Sequence, residues 1–476
     1  MSLSVAGALC LSLFAAGCLP SLSENKPRDP NRALPGSFGA QAPAAAAGAK
    51  PSKTTPVAWS SFFDCDELEA LIDVALDKNQ ELNIELQEVI ITLNEVKARQ
   101  GEYLPRLSAG IGAGIEKVGK ETSQGVSDEA HGVPENLGDF GFGLRGSWEV
   151  DIWGKLRNAA RSADRRYLAS LESRNFMVTQ IVAELARSYF ELLAIDNQIE
   201  VLKQNIGIVE NALSIVKLEK EAARVTELAV QKFEAEVLKN KSRLYDLEQQ
   251  RVQTENRINF LVGRYPQPVT RNPKKLNDPL PKVLAGLPTD LLDNRPDIRA
   301  AELEMEAAQL DVGVAKAGFY PSLSIDAELG YRTFNIEHLV AMPESLIYNL
   351  AGNLTAPLLN RKAIEAQYRS ANARQIQAVF MYEKTLLQAF TDVANQLAVS
   401  DNLQKAYDLQ SQQVAALARA SETSTVLFQS ARADYMEVLL TRRDLLDAEM
   451  ELIEMRKRQW IAIVNLYQAL GGGWGE

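Results

Sequence analysis

The 476 residues carry 51 Lys and Arg against 62 Asp and Glu, a net charge of -11, with the basic residues scattered rather than clustered. That balance gives no electrostatic footprint for a nucleic-acid partner. His131 and His338 are the only histidines, both in polar loop-like stretches. A multi-histidine metal site is thereby excluded, and no nucleophile, base and orienter stand out, so no catalytic residue, metal or cofactor is expected.

The chain opens on an apolar run from Val5 to Ala16, followed by Gly17 and Cys18. The run is too short to span a bilayer as a helix and reads as a secretory h-region. Small residues just before a cysteine resemble the processing box of bacterial lipoproteins. Residues 1–17 are therefore expected to be a lipoprotein signal peptide, and Cys18 to carry a diacylglycerol. Cleavage there would leave Cys65 as a free thiol, with no intramolecular disulfide to form. Residues 18–63 follow as a linker rich in Pro, Ala and Gly, a composition that buries no core and should run extended over the surface.

Beyond the linker the sequence repeats itself. Tyr103-Leu104-Pro105 answers Phe319-Tyr320-Pro321, and Pro105 to Pro321 is an offset of 216. Leu76 to Leu82 answers Leu292 to Ile298 at the same offset, while Leu261-Val262-Gly263 answers Ala469-Leu470-Gly471 at 208. Repeat 1 is placed at 64–262 and repeat 2 at 291–470, joined by a connector at 263–290 and followed by a tail at 471–476. In each, a helix precedes a proline, two strands and a long helical tract. The first helix is expected at about 72–101.

The strands are expected at about 104–117, 138–152, 321–331 and 346–358. In the second, Phe140, Phe142, Leu144, Trp148, Val150 and Ile152 alternate with Gly141, Gly143, Arg145, Ser147, Glu149 and Asp151. Each has about the ten residues of a tilted membrane strand, one apolar face and one polar face. Arg145, Glu149, Asp151, Asp326 and Glu328 on the polar face suit a wet lumen. An arginine at Leu144 should be costly and one at Gly143, on the other face, mild. Four strands cannot close a membrane barrel, so the barrel must be shared among copies of the chain.

Between Lys155 and Val262 there is no proline and one glycine, Gly207; from Asn360 to Leu470 there is neither. Such tracts read as long helices. Leu439, Leu446, Ile453, Trp460 and Tyr467 stand seven apart as a coiled-coil seam. Each tract should turn back once, at Ala223-Arg224-Val225-Thr226 and at Ala431-Arg432-Ala433-Asp434. Met436, Glu437, Leu440 and Arg443 follow the second turn on one helix face. Pro296 and Asp297 suit the first turn of a helix, so Arg295-Pro296-Asp297 reads as structural punctuation.

The chain resembles the outer-membrane efflux proteins, the TolC-like exit ducts of tripartite pumps, in their lipoprotein branch. The likeness rests on Trp59, Phe62, Leu68, Leu71, Ala75-Leu76 and Asn79, on the run from Leu291 to Ser324, on WEVDIWGK, and on the ending LYQALGGGW. It implies a mixed α/β membrane protein. Three copies would form a twelve-stranded outer-membrane β-barrel, four strands per chain, continued by a periplasmic α-helical barrel. Phe140, Phe142, Leu144 and Trp148 would face outer-membrane lipids. The tips at Arg224, Val225, Thr226, Arg432, Ala433 and Asp434 would meet a periplasmic adaptor, behind which stands an inner-membrane pump. Met436, Glu437, Leu440 and Arg443 would line a periplasmic gate. There Leu440 replaces a carboxylate common in relatives, and alanines stand at 223 and 431 where relatives often have glycine. The duct would conduct small molecules such as drugs or toxic compounds passively. Alternatives are an exit duct for type I protein or peptide secretion, or a periplasmic coiled-coil adaptor or scaffold lipoprotein that lacks a barrel.

Overall fold

The computed structural model describes residues 20–22, 26–35, 37–38, 59–281, 288, 290–430 and 432–474. The expected signal peptide, Cys18 and Ala431 lie outside the described residues. Two compact units are each assembled from separate chain segments.

The unit built around 90–169 and 302–381 holds the strands β1 (Arg106–Glu116), β2 (Leu137–Val150), β3 (Ser322–Thr333) and β4 (Leu346–Thr355). They form one antiparallel sheet in the order β1-β2-β3-β4, leaving β1 and β4 as edges. The register aligns the apolar positions of all four: Ala109 opposes Leu144, Leu144 opposes Leu329, and Leu329 opposes Tyr348. Because side chains alternate across a strand, this alignment produces one apolar and one polar face.

Two strand ends differ from expectation for local reasons. β2 stops at Val150, and Asp151 turns its carboxylate onto the start of a helix: Oδ1 accepts from Leu156 N at 3.2 Å and Oδ2 from Arg157 N at 2.9 Å. Asp151 is therefore a helix cap and not part of the polar strand face. β4 stops at Thr355, two residues before Pro357, which has no N–H to give a ladder. A helix not read from the sequence, Ser123–Ala130, lies between β1 and β2, capped by Thr122 Oγ1 accepting from Gly125 N at 3.1 Å.

In chain order the helices are α1 (Trp59–Phe63), α2 (Asp66–Lys78), α3 (Gln80–Tyr103), α4 (Ser123–Ala130), α5 (Lys155–Glu221), α6 (Glu227–Leu261), α7 (Asp290–Asn294), α8 (Pro296–Ala317), α9 (Lys362–Gln429) and α10 (Tyr435–Ala469). At 67 and 68 residues, α5 and α9 would each measure roughly 100 Å if straight. None of the described helices is long and apolar enough to cross a membrane.

The other unit, 31–89, 170–301 and 382–476, buries its core along these helices. Phe190 stacks on Trp460 at 4.2 Å and Phe62 on Tyr467 at 4.2 Å. The seam residues Leu446, Trp460 and Tyr467 are buried, with Ile453 and Leu439 packed against neighbouring apolar clusters.

The first helix is not continuous. It breaks between α2 and α3 at Asn79, whose Oδ1 accepts from Leu82 N at 2.9 Å and whose Nδ2 donates to Leu261 O at 2.7 Å. The linker also differs from a fully extended surface tether. Trp59 and Phe63 of α1 are buried in the main core, and Phe38 is buried and stacked on Phe390 at 5.3 Å. A few aromatics suffice, because each buries far more area than the surrounding Ala and Pro.

Features recur at fixed offsets. Arg295, 216 residues after Asn79, donates Nη1 to Ala469 O at 3.1 Å, and Ala469 stands 208 after Leu261. Gly263 and Gly471 both take positive φ, 72 and 85, with the Lys78 and Asn294 carbonyls where a Cβ would be. Both positions therefore require glycine. Arg295 also grips Asp297 at 2.6 Å, and α8 begins at Pro296, so this triplet punctuates the fold.

Candidate transport duct

On the sheet, Phe142 and Leu144 are exposed, Phe140 and Trp148 half-buried, and all four lie on the apolar face. That face stays open in the single chain: Ile111 is 86% exposed, Leu144 45% and Tyr348 81%. Trp148, half-buried there, donates Nε1 to Tyr103 O at 3.1 Å, which satisfies the one polar group of its ring.

The polar face is cross-linked by charge and hydrogen bonds. Arg145 Nε meets Glu328 Oε1 at 3.1 Å, Arg332 pairs with Asp139, and Asn353 Nδ2 donates to Asp326 Oδ2 at 3.0 Å. Gly143 lies on this face, but it would not accept a side chain mildly. A Cβ there would sit 2.7 Å from Leu329 O, because β2 and β3 approach closely at that row.

At the first helical turn Ala223 takes a φ of 55 and Arg224 N donates to Glu219 O at 2.8 Å. This is a left-handed helix ending that glycine would enter without strain. The second turn repeats the bond: Arg432 N donates to Leu427 O at 2.8 Å. Arg224, Thr226, Arg432 and Asp434 are exposed, and Ala433 is half-buried. Val225 is half-buried against the cluster of Val230 and Phe233. Thr226 and Asp434 stand at the N-caps of α6 and α10.

Beyond the second turn, Glu437, Leu440 and Arg443 form an exposed strip on α10, with Leu440 40% exposed. Met436, one turn before Leu440 on the same helix face, is half-buried, with Lys232 Nζ donating to its sulfur at 3.4 Å. Arg443 turns to Asp444 at 3.5 Å and not to Glu437. Sequence reasoning passed over Arg442, whose Nη2 donates to Thr425 Oγ1 at 3.2 Å while its buried Nε has no hydrogen-bond partner. Burial pulls its pKa down. Only the packing of α9 against α10 reveals it.

The family model described as outer membrane efflux protein matches residues 71–264 and 287–472. A pyoverdine export outer membrane protein, OpmQ of Pseudomonas aeruginosa, is 31% identical over 418 residues, 87% of each chain. A probable outer membrane lipoprotein, SilC of Salmonella typhimurium, is 25% identical over 422 residues, 88% of each chain. The chain belongs to the outer membrane efflux protein family. A crystal structure of CusC shares the fold, with a TM-score of 0.82 over 94% of this chain and 99% of that one, at 23% identity.

As an outer membrane efflux protein the chain is a channel component of the outer membrane, an exit duct of an efflux system. The mostly helical chain with one four-stranded sheet is the TolC-like fold. Its parts divide accordingly into a sheet with an apolar and a polar face and a set of long helices ending in two matched turns.

Proposed function

We propose that three copies of this chain close a twelve-stranded barrel, the polar face lining a water-filled lumen and Phe140, Phe142, Leu144 and Trp148 facing lipid. The observation that carries this reading is the sheet itself. β1 and β4 are unpaired edges, and the apolar face is open along all four strands. In lipid an open edge leaves backbone groups unsatisfied, so β4 of one copy must pair with β1 of the next. The recurrences at offsets of 216 and 208 support two tandem repeats, each contributing two strands and one long helical hairpin. The six helical hairpins of three chains then form the periplasmic tunnel, twelve helices around.

In this reading Cys18 carries the lipid, and the exposed turns at 224–226 and 432–434 meet a periplasmic adaptor coupled to an inner-membrane pump. Met436, Glu437, Leu440 and Arg443 border the periplasmic entrance. Conduction is passive, and the cargo is a small molecule delivered by the pump. Relatives are named for pyoverdine export and for cation efflux, so the duct's shape alone does not select the cargo.

The test is biochemical. The native protein should leave the membrane only in detergent and migrate in SDS as a heat-dissociable trimer. A water-extractable monomer would instead favour the scaffold reading, in which the chain bridges partners without a pore.

A further inference from the structure

The polar face holds two ion-paired arginines in different ways. Arg332 closes a fork on Asp139, Nε to Oδ1 at 2.7 Å and Nη2 to Oδ2 at 2.5 Å. Arg145 gives Glu328 its Nε alone, at 3.1 Å, and its side chain is 74% exposed. Its terminal amino groups therefore remain open to the polar side of the sheet.

The surroundings of the pair are graded. Ser108, Arg145, Glu328 and Asn349 occupy one row across the four strands. The next row towards Arg332 is Gly110, Gly143, Gly330 and Ile347. A Cβ at Gly330 would run into the Phe142 carbonyl, as one at Gly143 would into that of Leu329. No side chain can grow from the centre of that row to cover the guanidinium. On the other side stand Arg106, Ser147, Asp326 and Ala351, with Asp326 already held by Asn353.

We propose that Arg145 and Glu328 form an ion-selective element of the barrel lumen. Glu328 holds the guanidinium against the wall, and the open N–H groups of Arg145 engage carboxylate- or phosphate-bearing solutes as they pass. The proposal rests on the duct reading, in which the polar face of three copies encloses the lumen. Each copy contributes one positive and one negative group at this level, so losing either leaves a ring of a single sign.

The experiment is the reversal potential of the full-length protein in planar bilayers under a potassium chloride gradient, with SDS migration of each variant as the assembly control. Arg145→Gln should shift permeability towards cations, and Glu328→Gln towards anions, each by about twofold or more. The exchanged variant Arg145→Glu/Glu328→Arg restores the pair and should return close to the native ratio. Channels of normal size whose reversal potential moves in neither single variant, or moves the same way in both, would overturn the proposal and leave the duct intact. Absence of any channel in the native protein would overturn the duct reading, and this inference with it.

Discussion

Asp151 lies one residue beyond β2, and its carboxylate takes hydrogen bonds from Leu156 N, Arg157 N and Arg157 Nε. It therefore satisfies N–H groups that the first turn of α5 cannot satisfy internally, and its charge opposes the positive end of the helix dipole. Burial pushes the carboxyl up, but the hydrogen bonds from Arg157 and Leu156 outweigh it and hold the carboxyl below the ordinary carboxylate range. A carboxyl lowered in the folded state adds stability that is fully present above its unfolded pKa. That stability is lost as pH falls through the folded value, so the contribution is intact at neutral pH and disappears only in acid. Asp151→Ala should lower stability by about 0.5–2 kcal/mol, seen as a reduced unfolding temperature of the detergent-solubilised protein at pH 7. The gap to the native protein should narrow as the buffer is taken into the acid range. A gap independent of pH would show that shape, and not charge, sets the cap.

At the scale of the element, β2 ties alternation to environment. Leu144 sits mid-strand on the apolar face, opposed by Ala109 and Leu329. Leu144→Arg should cost about 2–4 kcal/mol if that row lies near the bilayer midplane. The comparison belongs at Ser147, exposed on the polar face, because a side chain at Gly143 would strike the β3 backbone. Ser147→Arg should leave trimer yield and thermal stability close to native, and equal losses at both positions would count against the sheet as a membrane wall. The same element shows what the sequence can and cannot carry. Period-two alternation is a local signal, so the presence of each strand and its apolar and polar faces were legible. The end of β2 was not, because Asp151 fits the alternation as well as it fits a helix cap. At Asn79 the local half of the signal, an Asn able to cap Leu82 N three residues on, went unread. Its bond to Leu261 O, 182 residues away, is one that no local pattern reports. The strip of Glu437, Leu440 and Arg443 follows from helical spacing alone. That Met436 is half-buried on that face depends on Lys232 of α6, which no local pattern reports. Phe38 escaped notice because composition averages away a lone aromatic.

For the proposed trimer, what matters is whether that strip faces the shared axis or a neighbouring helix. Glu437, Leu440 and Arg443 stand three apart and are exposed in the single chain, so that face is free to meet water, an axis or another copy. On the axis, three Glu437 carboxylates would attract cations, as acidic rings in pores do. Three Leu440 side chains would narrow the opening and resist wetting. Arg443, turned to Asp444 within its own chain, would hold the tips shut by pairing with a neighbouring copy. Glu437→Ala should then lower cation preference, whereas Leu440→Ala and Arg443→Ala should raise single-channel conductance. Recordings under a salt gradient separate the two effects, and they separate this gate from the barrel pair, since Arg145→Gln changes selectivity without relieving an apolar constriction. If all three α10 variants keep native conductance and selectivity while still forming trimers, the strip packs between helices of adjacent copies. Its exposure in one chain would then mark an assembly surface, and the narrowest point of the duct would have to be sought at another level of the tunnel.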